Sequence, residues 1–395
     1  MPYAEGLVIH DADSHFMEHP DWLARHTGAG AGDQLGVPLG GFEPLIAAGD
    51  ARHQETRASE AGRRDAEAEL LVRKNWEALG GFDAADRSRA LDLLGFRSQL
   101  VFSSFSHPLL VRDPDLPAAA FDDDLLYRAV RAHNAGMAEF CSGDERLLAV
   151  AFVALDDPGL ALTAAAEALD NGCAAIEIPS YPAAPVSLAH PAFDPLYRLV
   201  EDRDCPLLFH VGGGGHLVPD PLERAGRPRP ARRRDRQMAE PALTFIGMPA
   251  PVEMALAALV FDGTFERHPG LRFGVVEQGA TWFPGFLRRL DLAFAEFAHS
   301  GQRRRLSVAP SEHILRAVRV APFPYEDIAW LFAQTSAQPY LFGSDYPHDE
   351  GGPDPLGRFV GQLAGASAAD ADLFFRGNFE YLLGAALPAA LRTDA

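Results

Sequence analysis

The chain has 395 residues, of which 47% are hydrophobic, and is therefore long enough to bury a large apolar core. Its 55 acidic residues outnumber its 35 basic ones, and a formal net charge of −20 argues against binding to nucleic acid or to an anionic membrane surface. No run of about 18 apolar residues is present and the N-terminus lacks the pattern of a signal peptide, so we expect a cytoplasmic protein without a membrane segment.

The rare residue types narrow the chemistry further. Cys141, Cys173 and Cys205 stand far apart without a CxxC motif, which argues against a disulfide framework and against a thiolate zinc site. We expect all three to be small, buried apolar side chains. Lys74 is the only lysine, and it lies in the helix-like segment LLVRKNWEAL, away from any predicted strand end. A Schiff-base lysine or a carbamylated lysine between two metals is therefore not expected.

Short apolar runs alternate with segments of helical length along the whole chain, which is the pattern of repeated βα units. Eight runs are predicted as strands: GLVIHD (6 to 11), SQLVFSS (98 to 104), LLAVAFVAL (147 to 155), CAAIEIP (173 to 179), CPLLFHV (205 to 211), LRFGVVE (271 to 277), AVRVAPF (317 to 323) and PYLFGSD (339 to 345). They predict an α/β fold, a (β/α)₈ TIM barrel formed by 1–395 as a single domain. A doubly wound open sheet is the structural alternative, and the absence of GxGxxG after the first strand disfavours it.

Two connections are longer than a normal βα loop. Residues 16 to 97 follow the first strand and residues 212 to 250 follow the fifth, and insertions of this kind form lids or oligomer contacts in barrels. The basic, proline-rich segment 226 to 236 is predicted as a solvated mobile loop. The Ala-rich end AALPAALRTDA is predicted as a frayed helical tail.

Polar residues at the ends of the first and fifth strands are candidates for a metal site. Asp13 and His15 follow the first strand with one residue between them, so the period of two directs both side chains to the same side of the barrel mouth. His210 ends the apolar strand PLLFHV, and a polar side chain on a buried strand needs a partner. The glycines that follow, 212 to 215, leave the backbone free to approach a ligand but lack the GK[ST] of a nucleotide loop.

Asp345 completes the candidate set at the end of the last strand, in LFGSDYPH. A carboxylate there would be costly to bury without a cation or hydrogen-bond donors. With Asp13, His15 and His210 it provides two carboxylates and two imidazoles at three strand ends. This set predicts one divalent metal with a position open to substrate or water; zinc is favoured, with manganese and iron as alternatives.

Glu277 ends the sixth strand and should also face the mouth. It could be a metal ligand, a general acid or base, or a group that orients a metal-bound water. We favour the general acid or base, because neighbouring carboxylates raise a carboxyl pKa toward neutrality. His348, three residues after Asp345, is the best of the loop candidates for the active site. For the remaining candidates ordinary packing is favoured, and these are His107, His216, Trp282 and the first-strand His10.

Six segments, in order along nearly the whole chain, resemble the decarboxylase-like branch of the amidohydrolase superfamily, which includes aminocarboxymuconate semialdehyde decarboxylase and gamma-resorcylate decarboxylase. They are DADSHFMEHPDWL, LLFHVGGG, GTFERHPGLRFGVVEQGATWFPGFLRRLD, PSEHILRAVRV, FGSDYPHDEG and GNFEYLLG. The resemblance implies a barrel with one metal held at Asp13, His15, His210 and Asp345, and it allows a homodimer. The chain departs from the better-known members at Glu277, where they carry a histidine.

Three functions follow as hypotheses. The leading one is a metal-dependent, non-oxidative decarboxylase (carboxy-lyase) for a small unsaturated or aromatic carboxylic acid, in which Glu277 or Asp345 manages the proton that replaces carbon dioxide. The alternative is a hydrolase or hydratase that uses a metal-activated water, with Glu277 as the base. A barrel that binds a metabolite without catalysis is the third, and the presence of all four candidate ligands argues against it.

Overall fold

A parallel β-sheet forms the centre of the computed structural model. The structure describes residues 2–27, 36–37, 39–111, 121–180, 186–212, 222, 242–299, 301 and 305–393. Within these ranges seven parallel strands lie side by side in chain order. They are β1 (His10–Phe16), β2 (Ser98–Ser103), β3 (Leu147–Phe152), β4 (Ala175–Glu177), β5 (Leu207–Phe209), β6 (Phe273–Val275) and β7 (Val318–Val320).

The segment 339–346 joins the two edges of this sheet. Leu341 N donates a hydrogen bond to Val320 O of β7 at 3.1 Å, and Asp345 N donates to Asp13 O of β1 at 2.8 Å. The segment therefore occupies the place of an eighth strand, where the sequence predicts one. The sheet curls into a TIM-barrel-like α/β fold, as predicted.

Helices fill the connections, and many begin at an acidic or serine cap. Asp157, for example, accepts hydrogen bonds from Gly159 N and Leu160 N at the start of one helix. The described α-helices are Trp22–Arg25, Glu43–Ala58, Glu60–Ala68, Ala84–Leu94, Ser106–Leu109, Asp123–Cys141, Pro158–Asp170, Asp194–Asp202, Ala242–Gly247, Ala250–Phe261, Thr264–Arg267, Phe283–Phe297, Pro310–Ala317, Ile328–Gln334, Pro355–Gln362, Ala368–Asp372 and Asn378–Leu383. Single turns of 3-10 helix lie at Asn75–Glu77, Pro191–Phe193, Leu363–Gly365, Gly384–Ala386 and Ala389–Leu391, and a π turn lies at Leu373–Gly377.

The first strand lies further along the chain than predicted. The apolar run 6 to 11 was expected to be the strand, but Leu7 and Val8 are exposed and β1 covers the polar sequence HDADSHF. All seven residues of β1 are buried, and some of their polar groups have partners inside the barrel: Asp11 Oδ2 accepts a hydrogen bond from Gln99, and Ser14 Oγ donates one to Leu100 O. The register with β2 shifts between Asp11 and Ser14, an irregularity of the kind that redirects side chains near active sites.

The C-terminal segment closes the floor of the barrel instead of fraying. Leu387 and Leu391 are buried in the apolar cluster that fills the barrel interior, together with Leu100 of β2 and Leu208 of β5. Arg97, at the start of β2, donates a hydrogen bond from Nε to Leu391 O at 3.1 Å. The prediction of a frayed tail was therefore wrong, because its leucines complete an interior that the short strands leave open.

Truncating a floor leucine should destabilise the protein. Leu387 is 1% exposed, so Leu387→Ala removes buried apolar volume, and we expect the free energy of unfolding to fall by about 2–5 kcal/mol. Leu292, which is 60% exposed, provides the matched control, and Leu292→Ala should cost about 0.5 kcal/mol or less. Urea denaturation measures the stability of both variants. Equal denaturation midpoints for Leu387→Ala and Leu292→Ala would show that the C-terminal segment does not stabilise the barrel.

One stretch, Ala242–Phe261, is long and apolar enough to cross a membrane by length and composition alone, with a mean hydropathy of 1.7. It consists of two helices separated by a turn at Met248 and Pro249. Residues of the second helix, Val252 and Leu256 among them, are buried in the outer apolar core of the barrel. The second helix, Ala250–Phe261, therefore packs on the outside of the barrel.

The three cysteines agree with the prediction made for them. Cys141, Cys173 and Cys205 are buried and form no disulfide. Burial raises the pKa of each thiol, to about 12 for Cys173 and to about 11 for Cys205. They behave as small apolar side chains, and the thiolates that a soft metal would need are disfavoured.

Candidate metal centre

The barrel mouth brings together four of the predicted residues. The ligand atoms of Asp13, His15, His210 and Glu277 all lie within 4.8 Å of one another, and all four side chains are buried. His15 Nε2 lies 3.2 Å from Asp13 Oδ1, and His210 Nε2 lies 3.3 Å from Glu277 Oε2. Side chains from β1 and from the ends of β5 and β6 therefore converge on one point.

Asp345 and His348 form an overlapping group with His15 and Glu277. Asp345 Oδ1 lies 3.5 Å from His15 Nε2 and 2.9 Å from His348 Nδ1. The His348 ring also stacks on the His15 ring, with 3.9 Å between the ring centroids. Its Nε2 lies 2.7 Å from Ser104 Oγ, so the loop after β2 fixes the ring. His348 thus contacts the centre through both Asp345 and His15.

The backbone at two of these positions adopts a conformation that side-chain-bearing residues rarely take. Glu277 has a φ of 52° and Asp345 a φ of 54°, both in the left-handed region. Such strain in non-glycine residues concentrates at functional sites. Gly343 is needed for a related reason, because a Cβ there would lie 2.8 Å from the Cβ of Asp13. The absence of a side chain at Gly343 therefore allows the segment 339–346 to lie close to β1.

The donor atoms fit a bound cation. Among the described residues, five buried side-chain atoms of this centre have no hydrogen-bond partner: Asp13 Oδ1, His15 Nε2, His210 Nε2 and both carboxylate oxygens of Asp345. Buried polar atoms are seldom left without a partner, because the loss of water is then uncompensated. A divalent metal would satisfy the atoms of Asp13, His15 and His210, with Asp345 beside them in the overlapping group, and carboxylates with imidazoles are a donor set that zinc, manganese and iron accept.

The second ring nitrogen of each ligand histidine is already engaged. His15 Nδ1 lies 3.2 Å from Ser103 O, and His210 Nδ1 lies 2.9 Å from Val211 O. A carbonyl oxygen only accepts, so the proton of each ring is on Nδ1. The Nε2 lone pairs are therefore the ones that face the centre, which is the arrangement of metal-bound histidines.

Burial also sets the protonation of the centre. Burial, reinforced by the neighbouring His348, lowers the pKa of His15 to about 4, so this ring is neutral near pH 7 and free to bind a metal. Burial, with the nearby Asp13 carboxylate, raises the pKa of Asp345 to about 7. A carboxyl group poised near neutrality is suited to proton transfer.

Asp11 and Arg87 support the centre from below, and neither was predicted. Asp11 accepts hydrogen bonds from Ser344 N at 2.8 Å and from Ser344 Oγ at 2.6 Å. Arg87 Nη1 donates to His15 O at 3.0 Å. Together they fix β1 against the last strand and against the first insertion. The signal in the sequence is the density of polar residues in HDADSHF, of which only Asp13 and His15 were predicted to belong to the site.

Two buried glutamates hold the loops of the mouth. Glu18 accepts hydrogen bonds from Ser106 N and Ser106 Oγ, both at 2.8 Å, and anchors the loop after β2. Glu326 accepts from Ala280 N at 2.9 Å and from Phe323 N at 2.7 Å, and so ties the loop after β6 to the loop after β7. Sequence reasoning missed both, because a lone glutamate in a loop gives no sign of burial.

The other predicted loop residues differ in their placement. Trp282 donates a hydrogen bond from Nε1 to Gly279 O at 2.8 Å, which is a packing role, as predicted. His10 lies at the start of β1 with Nδ1 2.7 Å from Ser98 Oγ, at the opposite end of the strands from the centre, in agreement with a structural role. His216 and the segment 226 to 236 lie outside the described residues.

The position of Lys74 differs from the prediction. Its backbone is extended, with φ −127° and ψ 162°, where a helix was expected. Its Nζ donates a hydrogen bond to Gly352 O at 2.8 Å, and the next residue, Asn75, donates from its N to Pro347 O at 2.9 Å. The first insertion therefore packs on the loop that follows Asp345, and the argument that Lys74 lies away from the mouth was wrong.

We still expect Lys74→Arg to keep turnover within a few-fold of the parent. The physical reason is now its contact, because a guanidinium can also donate to the Gly352 carbonyl. Turnover, metal content and circular dichroism of the variant provide the measurement. Loss of turnover with unchanged folding and metal content would show that the primary amine itself takes part in the chemistry.

A family model described as Amidohydrolase matches residues 11–384. The chain belongs to the amidohydrolase family. The resemblance to the amidohydrolase superfamily drawn from the sequence segments is thereby confirmed, and so is the prediction that the protein is an enzyme. None of the curated proteins matches this amidohydrolase in sequence.

Solved structures share the barrel of this amidohydrolase. The amidohydrolase map2389c from Mycobacterium avium subsp. paratuberculosis K-10 superposes with a TM-score of 0.70 at 20% identity, covering 96% of this chain and 100% of that one. A 5-carboxyvanillate decarboxylase from Novosphingobium aromaticivorans DSM 12444, complexed with manganese and 4-hydroxy-3-methoxy-5-nitrobenzoic acid, gives 0.64 at 21% identity, covering 96% of both chains. A 2,6-dihydroxybenzoate decarboxylase from Rhizobium gives 0.61 at 17% identity, covering 95% and 98%. At these identities the likeness establishes the fold.

Proposed function

We propose that this amidohydrolase is a metal-dependent, non-oxidative decarboxylase of a small aromatic or unsaturated carboxylic acid. The observation that carries the proposal is a group of five buried side-chain atoms at the barrel mouth that could bind a metal and have no hydrogen-bond partner among the described residues. The Glu277 carboxylate lies beside them. Two solved structures with the same fold are decarboxylases of aromatic acids, which supports the substrate class.

In this proposal Asp13, His15, His210 and Asp345 hold one divalent metal. Their partnerless atoms support the assignment, and Glu277 lies close enough to be an additional ligand. Zinc suits the donor set, and manganese in the complex of the solved 5-carboxyvanillate decarboxylase makes it an equal candidate. When bound, the metal would supply a Lewis acid that holds the substrate carboxylate or a hydroxyl group beside it.

The residues of the chain would then supply the proton that replaces the departing carboxylate. Decarboxylation breaks the bond between the carboxylate and the neighbouring carbon, leaves the electron pair on that carbon, and requires a proton there as carbon dioxide departs. We assign this proton to Glu277 as general acid or base, with Asp345 as the second carboxyl group able to carry it. His348 would orient Asp345 through the 2.9 Å contact between Nδ1 and Oδ1.

The first insertion contributes to this site in our proposal. Lys74 and Asn75 contact the loop that follows Asp345, so the segment between β1 and β2 would form part of the wall around the substrate. We also propose that residues 1–395 form a single barrel domain and that the protein is a homodimer. Sedimentation analysis of the purified protein measures the oligomeric state.

Hydrolysis is the second candidate function. The family itself favours it, and Glu277 Oε2 lies 3.3 Å from His210 Nε2 and 3.8 Å from His15 Nε2, beside the candidate metal position. From there Glu277 could accept a proton from an attacking water. The same residue would thus serve either reaction, and the products distinguish the two.

The test is product analysis in deuterated water. The metal-loaded protein is incubated with hydroxybenzoates and muconate-type acids, and headspace carbon dioxide is measured together with deuterium in the remaining product. We expect carbon dioxide in equal amount to a product that carries one deuteron at the former carboxyl position. Turnover of amide or ester analogues without carbon dioxide would contradict decarboxylation and support hydrolysis.

A further inference from the structure

The carboxylate of Glu18 organises the loop that follows β2. Glu18 lies two residues after the end of β1, and its side chain is fully buried. Its carboxylate accepts hydrogen bonds from three successive backbone groups: Ser104 N at 2.9 Å, Phe105 N at 3.1 Å and Ser106 N at 2.8 Å. The Ser106 hydroxyl donates a fourth, also at 2.8 Å. The position of this carboxylate therefore determines the position of the loop.

The loop requires a negative charge at this position. Burial raises the pKa of Glu18, and the hydrogen bonds from the loop oppose that rise by favouring the charged form. Successive backbone N–H groups that converge on one point form an anion-binding concavity. A glutamine would have the same shape, but its NH₂ group would face N–H donors and could not replace a carboxylate oxygen.

The Ser104 hydroxyl connects the loop to the candidate metal centre. Ser104 Oγ donates a hydrogen bond to Phe16 O at 2.9 Å and lies 2.7 Å from His348 Nε2. On its other side the His348 ring lies 2.9 Å from Asp345 Oδ1, and its face stacks on the His15 ring. A shift of the loop would therefore move the His348 ring against two candidate metal ligands.

The first insertion is attached to the same residue. Trp76 Nε1 donates a hydrogen bond to Glu18 O at 3.0 Å. The Trp76 ring also stacks on the Phe105 ring, with 5.5 Å between the centroids and 2° between the planes. Glu18 thus holds the loop after β2 by its side chain and the first insertion by its backbone.

We propose that Glu18 is a positioning residue for the reaction. It fixes the loop so that the Ser104 hydroxyl keeps His348 in place beside Asp345 and His15. The inference rests on the proposed function, in which His348 orients Asp345, and it extends that function to a residue that binds only the loop. Turnover then depends on a carboxylate that does not touch the substrate.

The kinetic test is a double-mutant cycle between Glu18→Gln and Ser104→Ala, with the substrate that the parent turns over. Each single variant should lower kcat by about ten-fold and change KM by less than about two-fold, because an outer partner of the centre is lost while the substrate contacts remain. The double variant should be no slower than the slower single variant, since both changes interrupt the same chain of contacts. Glu326→Gln is the matched control. Glu326 also accepts hydrogen bonds from backbone N–H groups, but in the loops after β6 and β7, so its effect should multiply with that of Ser104→Ala.

The second readout is the nuclear magnetic resonance signal of the His348 ring in zinc-loaded, ¹⁵N-histidine-labelled protein, which does not depend on turnover. The signal is identified by its loss in His348→Asn. It should shift in both Glu18→Gln and Ser104→Ala and stay unchanged in Glu326→Gln. Ser106→Ala removes a single donor to the Glu18 carboxylate and should shift the same signal by less. This milder variant decides the question if Glu18→Gln does not fold.

Three results would overturn the proposal. An unchanged His348 signal in folded Glu18→Gln, or in Ser106→Ala where the former does not fold, would show that Glu18 does not position this ring. Rate losses that multiply in the double variant would show that Glu18 acts by another route. An equal shift of the signal in Glu326→Gln would mean that any loosening of the mouth moves His348. A parent that releases no carbon dioxide would contradict the proposed function instead, and the His348 signal would still decide the role of Glu18.

Discussion

Replacing His210 with alanine is expected to leave a folded barrel that has lost its divalent metal and nearly all of its activity. His210 Nε2 is buried, lacks a hydrogen-bond partner among the described residues and lies 3.6 Å from Asp13 Oδ1. Removing even an outer partner of a metal ligand weakens binding by about 10- to 100-fold, so removing the ligand itself should cost more.

The measurement is elemental analysis of purified His210→Ala beside the parent, with circular dichroism to verify folding. His190→Ala is the matched control, because His190 is exposed and caps a short turn outside the centre. It should keep the metal content and turnover of the parent. Parent-like metal content in folded His210→Ala would mean that His210 is not a ligand.

The change from Glu277 to glutamine should lower turnover by roughly 10²- to 10⁴-fold while the metal remains bound. Glutamine keeps the size and most of the hydrogen-bonding capacity of the side chain but cannot exchange a proton with the substrate. The left-handed backbone at Glu277 should persist, since the two side chains have the same shape. Steady-state kinetics and metal analysis of the same sample report both quantities.

The outcome for metal content separates the two roles of Glu277. If the residue is an additional ligand, Glu277→Gln should bind metal more weakly, and added metal should restore part of the rate. Glu139→Gln, at an exposed position, controls for the loss of one negative charge. Normal turnover with normal metal content would contradict both roles and leave Glu277 as a structural residue of the mouth.

Alternation of apolar runs and amphipathic segments was enough to predict the barrel, including the place of the eighth strand at 339–345. It was not enough to place β1, because apolarity points to residues 6 to 11 while the buried strand is the polar run His10–Phe16. Only the partners of those polar groups, such as Ser344 for Asp11, explain why they are buried. Those partners come from the other end of the chain.

The candidate centre was predictable because parallel strands end at one edge, which brings Asp13, His15, His210 and Asp345 together wherever the intervening loops lie. The supporting groups were not predictable. Lys74 contacts Gly352 across 278 positions of sequence, and no local pattern encodes that contact.

The most direct test of this account is an anomalous-scattering map from crystals of the protein loaded with manganese or zinc, recorded on both sides of the absorption edge of the metal. The account predicts one strong peak per chain, bonded to Asp13, His15, His210 and Asp345. A map without a peak at the barrel mouth, from protein shown to be active and loaded, would contradict it. So would a peak held by other residues.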